Sequence, residues 1–111
     1  MTLDDLREYG ANVDEGLARC LGNEEFYLRL VASLKGDAGF DALKSALEAH
    51  DLEGAFAAAH SLKGSLGNLS LTPLYEPVYE ITELLRTGTE MDYSEIMATI
   101  EKRRDELFAL M

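Results

Sequence analysis

The chain has 111 residues, enough to bury one hydrophobic core and too few for two domains, and its 47% hydrophobic content excludes intrinsic disorder. Its 21 acidic residues against 10 basic ones give a formal net charge of -11, which disfavours binding to nucleic acid or to an anionic membrane surface. Cys20 is the single cysteine, so neither an internal disulfide nor a cysteine-based zinc site can form. We expect a single domain spanning residues 1–111.

The N-terminal stretch MTLDDLREYG lacks the basic and apolar blocks of a signal peptide. No apolar run approaches the roughly 18 residues that a membrane-spanning helix needs. We therefore expect a soluble, cytoplasmic protein, and we expect it to be a monomer.

The first third of the chain predicts short helices. A first helical turn around Leu3 and Leu6 is followed by Asn12 and Glu15, a pair that resembles a capping box opening a second helix. Gly22 is expected to end that helix, because glycine favours the residue just past a helix C-terminus. Asn23 can cap the next helix.

Longer amphipathic helices follow. A turn is predicted at residues 35–39, and Asp51 can cap the helix that begins after it. Thr72 and Pro73 form a cap and first-position pair for the next helix, and Asp92 begins the last one. Short loops make neighbouring helices antiparallel. The predicted fold class is therefore all-α, an up-and-down antiparallel four-helix bundle with short additional N-terminal helices.

Pro77 is the exception to this regular pattern. It would be the fifth position of the helix that begins at Thr72, where a proline removes a backbone hydrogen bond. We expect this helix either to kink at Pro77 or to begin later than Thr72.

The segment AAAHSLKGSLGNLSL, residues 57–71, combines helical leucine spacing with two glycines. At about 100° per residue, its apolar residues and those just before it cluster within roughly 40° of one direction. The members of this stripe are Ala55, Ala59, Leu62, Leu66 and Leu69. His60, Gly64 and Gly67 point away from the stripe, whereas Lys63 lies at its edge, one turn after the histidine. An exposed imidazole bordered by small residues and one cation is therefore predicted.

This arrangement suits a histidine that a docked partner phosphorylates. A neutral imidazole can act as a nucleophile. A lysine three residues later can bind a phosphoryl oxygen. Gly64 leaves room for the phosphoryl group and the partner.

The residues His60-Ser61-Leu62-Lys63-Gly64-Ser65, preceded by Ala59 and followed by Asn68-Leu69, resemble the signature of the histidine-containing phosphotransfer (HPt) domain family. The resemblance implies a four-helix bundle whose histidine takes a phosphoryl group from a receiver-domain aspartate and passes it to a second receiver. It implies that His60 is the phosphoacceptor, Lys63 the phosphate-stabilising cation and Gly64 the clearance residue.

The resemblance also implies the partners. These are response-regulator receiver domains and a hybrid sensor histidine kinase. The domain would need no cofactor or metal of its own, because the receiver supplies Mg²⁺. Without an ATP site it would be a phosphocarrier and not an enzyme.

Further site residues are expected on the helix after the motif. His60 and Thr82 are equally distant in sequence from a turn at Leu71, so they should lie at the same height. Thr82 and Arg86 are predicted on the flank of that helix, where some family members have glutamine and a basic residue.

A docking patch is predicted from Phe56, Ala57 and Gly67, on the helix that carries His60. Besides Thr82 and Pro77, two further residues depart from the family pattern. Leu66 stands where a small residue is common, and Ser70 where glycine is usual.

Two other function classes are alternatives. The first is an adaptor that binds receiver domains without phosphotransfer, and the presence of His60 speaks against it. The second is a metal- or haem-binding helical bundle, which needs several inward-facing ligands. Of the two histidines, His60 is predicted to face outward, and His50 has no glutamate three residues before it.

Overall fold

The computed structural model describes residues 1–111, and it contains helices and turns without strands. The α-helices are α1 (Leu3–Tyr9), α2 (Val13–Arg19), α3 (Glu24–Ser33), α4 (Gly39–Glu48), α5 (Leu52–Asn68), α6 (Thr72–Arg86) and α7 (Ser94–Phe108). A 3-10 turn at Leu34–Gly36 lies between α3 and α4. The predicted all-α class is confirmed.

Helices α4 to α7 form the bundle, and α1 to α3 precede it. Helix α5 packs extensively against both α4 and α6, and α6 also packs against α7. The short α4–α5 and α5–α6 connections make these neighbours antiparallel. The 22 buried hydrophobic residues form one continuous core. None of the helices has the length and apolar character that crossing a membrane requires.

The predicted apolar stripe of α5 faces this core. Ala55, Ala59 and Leu66 are completely buried, and Leu62 is 1% exposed. Full burial of a leucine side chain stabilises the fold by about 1.5–3 kcal/mol relative to exposure. Gly39 at the start of α4 makes room for Leu62, because a Cβ there would lie 2.9 Å from the leucine Cδ2. One side of α5 is therefore fixed by packing.

Side chains from α2 and α3 hold the C-terminal end of α5. Arg19 Nη1 donates hydrogen bonds to the Gly67 carbonyl at 2.9 Å and to Ser70 Oγ at 2.6 Å. The Tyr27 hydroxyl donates to the Leu69 carbonyl at 2.8 Å. Carbonyls at a helix C-terminus lack partners inside the helix. The N-terminal helices supply those partners for α5.

The contacts of Ser70 explain why a serine can stand where the family usually has a glycine. Its φ of +56° lies in the left-handed region that favours glycine. The serine hydroxyl donates to Glu15 Oε1 at 2.9 Å, and Arg19 binds the same carboxylate at the same distance. These two partners lower the pKa of Glu15. A glycine at position 70 would adopt this backbone more easily, but it would lose the hydroxyl that joins α2 to the end of α5.

Several predicted helix ends are observed. Asn12, Asn23 and Asp51 each accept a hydrogen bond from a backbone N–H in the first turn of the helix that follows. The carboxylate of Asp92 accepts from the Ser94 N–H at 2.9 Å, so it caps α7 from two residues upstream. His50 lies beyond the end of α4 and is exposed, with a φ of +55°.

Thr72 is predicted to cap α6 and Pro73 to be its first residue, but the helix begins one residue earlier. Leu71 occupies the cap position without a side-chain hydrogen bond, Thr72 is the first helical residue, and Pro73 is the second. The helix nevertheless continues through Pro77 to Arg86. The expectation of a later start is therefore wrong.

Arg103 of α7 compensates for the hydrogen bond that Pro77 cannot make. In a regular helix the N–H of residue 77 would donate to the carbonyl of Pro73, but proline has no N–H. Arg103 Nη1 donates to that carbonyl instead, at 2.6 Å. Pro77 thus leaves the Pro73 carbonyl of α6 free to accept a hydrogen bond from α7.

Replacing Arg103 with Met should lower the free energy of unfolding by about 1–2 kcal/mol, because a partly buried carbonyl loses its charged donor. In a Pro77→Ala background the same substitution should cost less than about 0.5 kcal/mol, since residue 77 then donates to the Pro73 carbonyl. Urea denaturation followed by circular dichroism measures both.

Lys102→Met is the control, because Lys102 is exposed on α7 and forms no ion pair. An equal cost of Arg103→Met in both backgrounds would contradict this explanation.

Candidate functional site

His60 lies in the middle of α5 and is exposed to solvent, as predicted. Phe56, one turn earlier, stacks against its ring with centroids 5.5 Å apart and an interplanar angle of 27°. Phe56 is itself partly buried, and Ala57 beside it is exposed. The phenyl ring supports one face of the imidazole and leaves the ring accessible from outside the protein.

Arg86 of α6 reaches the same cluster. The central carbon of its guanidinium group lies 5.1 Å from the centroid of the Phe56 ring. Cations over aromatic faces are attracted by the ring quadrupole. The structure thus brings Arg86 beside the aromatic neighbour of His60.

Lys63 lies against α6. Its Nζ is 3.9 Å from Glu83 Oε1 and 5.7 Å from the centroid of the Tyr79 ring, and its side chain is 21% exposed. Tyr79 is 47% exposed. The lysine is therefore held at the border between the two helices, one turn from His60.

Glu83 was not predicted from the sequence. Its carboxylate binds both cations, since Oε2 lies 3.3 Å from Arg86 Nε in addition to the contact with Lys63. The spacing of Glu83 and Arg86, three residues apart on one helix, indicates their pairing. The pairing with Lys63 depends on the register of α5 against α6, which the sequence does not specify.

The two glycines of α5 have different surroundings. A Cβ at Gly64 would meet nothing within 4 Å, so the space beside His60 is open. A Cβ at Gly67 would lie 3.2 Å from Cε2 of Tyr75 on α6, which is tight. Gly67, which points away from the core stripe and is predicted to belong to the docking patch, therefore also serves the packing of α5 on α6.

Thr82 does not lie on the flank of α6. The residue is completely buried, and its hydroxyl donates to the Val78 carbonyl of the preceding turn at 2.6 Å. The prediction of Thr82 as a support for the phosphoryl group is therefore wrong. Its hydroxyl is already used inside the core, and α6 buries a wider face than its leucine spacing indicates.

The exposed side of α5 therefore presents an accessible imidazole and an open space, with Lys63 at its border and Arg86 of α6 beside Phe56. The cations can bind the oxygens of a tetrahedral anion on the imidazole. No group of three or more His, Cys, Asp or Glu side chains is placed to hold a metal ion.

Comparison with known families identifies the domain. The model of the Hpt domain family matches residues 37–110. The match begins just before α4 and includes all four bundle helices. Because it covers more than half of the chain, the protein belongs to the Hpt domain family, as the motif around His60 predicts. No curated protein and no solved structure matches the chain.

The family defines the class of function. Hpt domains are phosphotransfer domains of two-component systems and interact with receiver domains and kinases in phosphorelays. They are phosphocarrier modules, not catalytic enzymes.

The two glycines allow a test of the site geometry by stability alone. Gly64→Ala should raise the free energy of unfolding by about 0.5–1 kcal/mol, because alanine favours the helix and its Cβ meets nothing. Gly67→Ala should raise the free energy of unfolding by less, or should lower it, because the new Cβ approaches Tyr75. Urea denaturation of both variants compares them, and an equal gain would show that the space beside Gly67 is as open as that beside Gly64.

Proposed function

We propose that this protein is a histidine phosphotransfer protein of a phosphorelay. His60 accepts a phosphoryl group from the aspartate of one receiver domain and passes it to another. The observation that carries the proposal is the exposed imidazole on α5, with Lys63 and Arg86 near it and open space at Gly64.

The transfer step is a displacement at phosphorus. The lone pair of an imidazole nitrogen of His60 attacks the phosphoryl group of the receiver's phospho-aspartate, and an N–P bond forms. The P–O bond to the aspartate breaks, and its electron pair leaves on the carboxylate. The proton on the other ring nitrogen can pass to solvent. The reverse sequence returns the group to a receiver.

Lys63 and Arg86 support the proposed step by charge. The transferred group carries its negative charge on three oxygens, and cations near it stabilise that charge in the transition state. Lys63 comes from the same helix as His60, and Arg86 comes from α6. The receiver contributes the phospho-aspartate and Mg²⁺, so the protein itself supplies the nucleophile and these two cations.

Docking of a receiver would use the open side of α5. Phe56 and Ala57 offer a small apolar surface beside His60, and Gly67 lies at the border with α6. The net charge of -11 favours partners with basic groups around their docking surface. We propose that the protein works in the cytoplasm as a monomer, with receiver domains and a hybrid sensor histidine kinase as partners. Nucleic acid and membranes are not among its proposed partners.

His60→Gln should abolish labelling by phosphorylated receivers, because glutamine has no nucleophilic ring nitrogen. The measurement mixes the protein with a panel of pre-phosphorylated receivers and follows acid-labile, base-stable phosphate on it. His50→Gln is the matched control, since His50 is the only other histidine and is also exposed. This control should be labelled like the wild type.

Binding of a receiver without labelling of the wild type would favour the adaptor instead. Neither binding nor labelling, across the panel, would contradict both functions.

A further inference from the structure

Glu83 lies between the two cations of the site and is shared by both. Its Oε1 is 3.9 Å from Lys63 Nζ and 3.5 Å from Arg86 Nη2, and its Oε2 is 3.3 Å from Arg86 Nε. No other carboxylate forms an ion pair with Lys63 or Arg86. One carboxylate thus partly neutralises Lys63, one helical turn after His60, and Arg86, which lies over the ring that stacks on His60.

Two aromatic rings complete this arrangement. The Lys63 ammonium lies over Tyr79, and the Arg86 guanidinium lies over Phe56, which itself stacks on His60. In the unphosphorylated protein each cation therefore has an aromatic ring on one side and a share of the Glu83 carboxylate. The two cations and the carboxylate together carry one net positive charge (two positive, one negative).

Phosphorylation of His60 changes this balance. A phosphoryl group brings a charge of about -1.5 to -2 and three acceptor oxygens to the His60 ring, one helical turn from Lys63 and stacked on the Phe56 ring over which Arg86 lies. It must compete with Glu83 for the donors of Lys63 and Arg86, and it is repelled by the carboxylate. The ion pairs of Glu83 with Lys63 and Arg86 stabilise the unphosphorylated protein. This stabilisation is reduced or lost when His60 is phosphorylated.

We propose that Glu83 is a positioning residue. It destabilises the phosphohistidine relative to the phospho-aspartate of a receiver and so favours onward transfer. The inference rests on the proposed function of His60. Glu83 acts through Lys63 and Arg86, because its carboxylate binds these two cations. Removal of its negative charge frees both cations for the phosphoryl group and moves the equilibrium between phosphohistidine and phospho-aspartate towards phosphohistidine.

Glu83→Gln removes the charge and keeps the shape of the side chain. Because exposed ion pairs are individually weak, we expect its equilibrium constant for phosphoryl transfer from a receiver to shift about threefold to tenfold towards phosphohistidine. Raising the salt concentration should reduce the difference from the wild type. The measurement is the ratio of labelled protein to labelled receiver at equilibrium.

Glu80→Gln is the matched control. Glu80 is exposed on the same helix and forms no ion pair, so the change in net charge is the same. It should shift the equilibrium less than about twofold, because surface substitutions away from special contacts have small effects. An equal effect of the two variants, or a shift of Glu83→Gln towards phospho-aspartate, would overturn the proposal.

A second measurement does not need a receiver. In a His50→Gln background, phosphoramidate serves as a small phosphoryl donor to His60, and ³¹P NMR follows titration of the phosphohistidine. The phosphoryl pKa should be lower in Glu83→Gln than in the parent or in Glu80→Gln, because the freed cations favour the dianion. An unchanged phosphoryl pKa would overturn the role of Glu83. Failure of every receiver to label the wild type would instead overturn the proposed function.

Discussion

The site depends on α5 burying one side against two neighbouring helices while its opposite side stays open to solvent. Ala55, Ala59, Leu62 and Leu66 are buried between α4 and α6 and fix the rotation of α5 about its own axis. A helix whose rotation is fixed in this way has its outward residues fixed too, because side chains repeat every 3.6 residues. The exposure of His60 and the open space at Gly64 follow from this packing.

Side-chain hydrogen bonds at the C-terminal end of α5 and near the start of α6 hold these two helices in position. Arg19 and Tyr27, from helices that precede the residues matched by the Hpt family, bind carbonyls at the C-terminal end of α5. Arg103 of α7 satisfies the Pro73 carbonyl that Pro77 leaves free in α6. Since Lys63 and Glu83 face each other across α5 and α6, the site depends on both helices being held in register.

Periodicity was sufficient to predict the parts of the site that a single helix determines. The buried stripe of α5 and the exposure of His60 both follow from residue spacing along one helix. Thr82 could not be placed in this way. Helix α6 packs against both α5 and α7, so its buried face includes Pro77 and Thr82 in addition to its aliphatic stripe.

Contacts between helices explain the other differences. Gly67 points away from the α5 core stripe, yet it meets Tyr75, whose ring reaches across from α6. Glu83 is one of 21 acidic residues, and nothing in the spacing of the chain distinguishes it until the register of α5 and α6 brings it to Lys63. The sequence specifies the faces of each helix better than it specifies the pairs between helices.

The most direct test of the central claim is an NMR chemical-shift map of the protein before and after phosphorylation. If the open side of α5 is the phosphoryl site, the largest changes should centre on His60 and include Phe56, Lys63, Gly64 and Arg86. The buried stripe of α5 should change little. A map centred on His50, or one without a defined centre, would contradict the assignment of the site to the exposed side of α5.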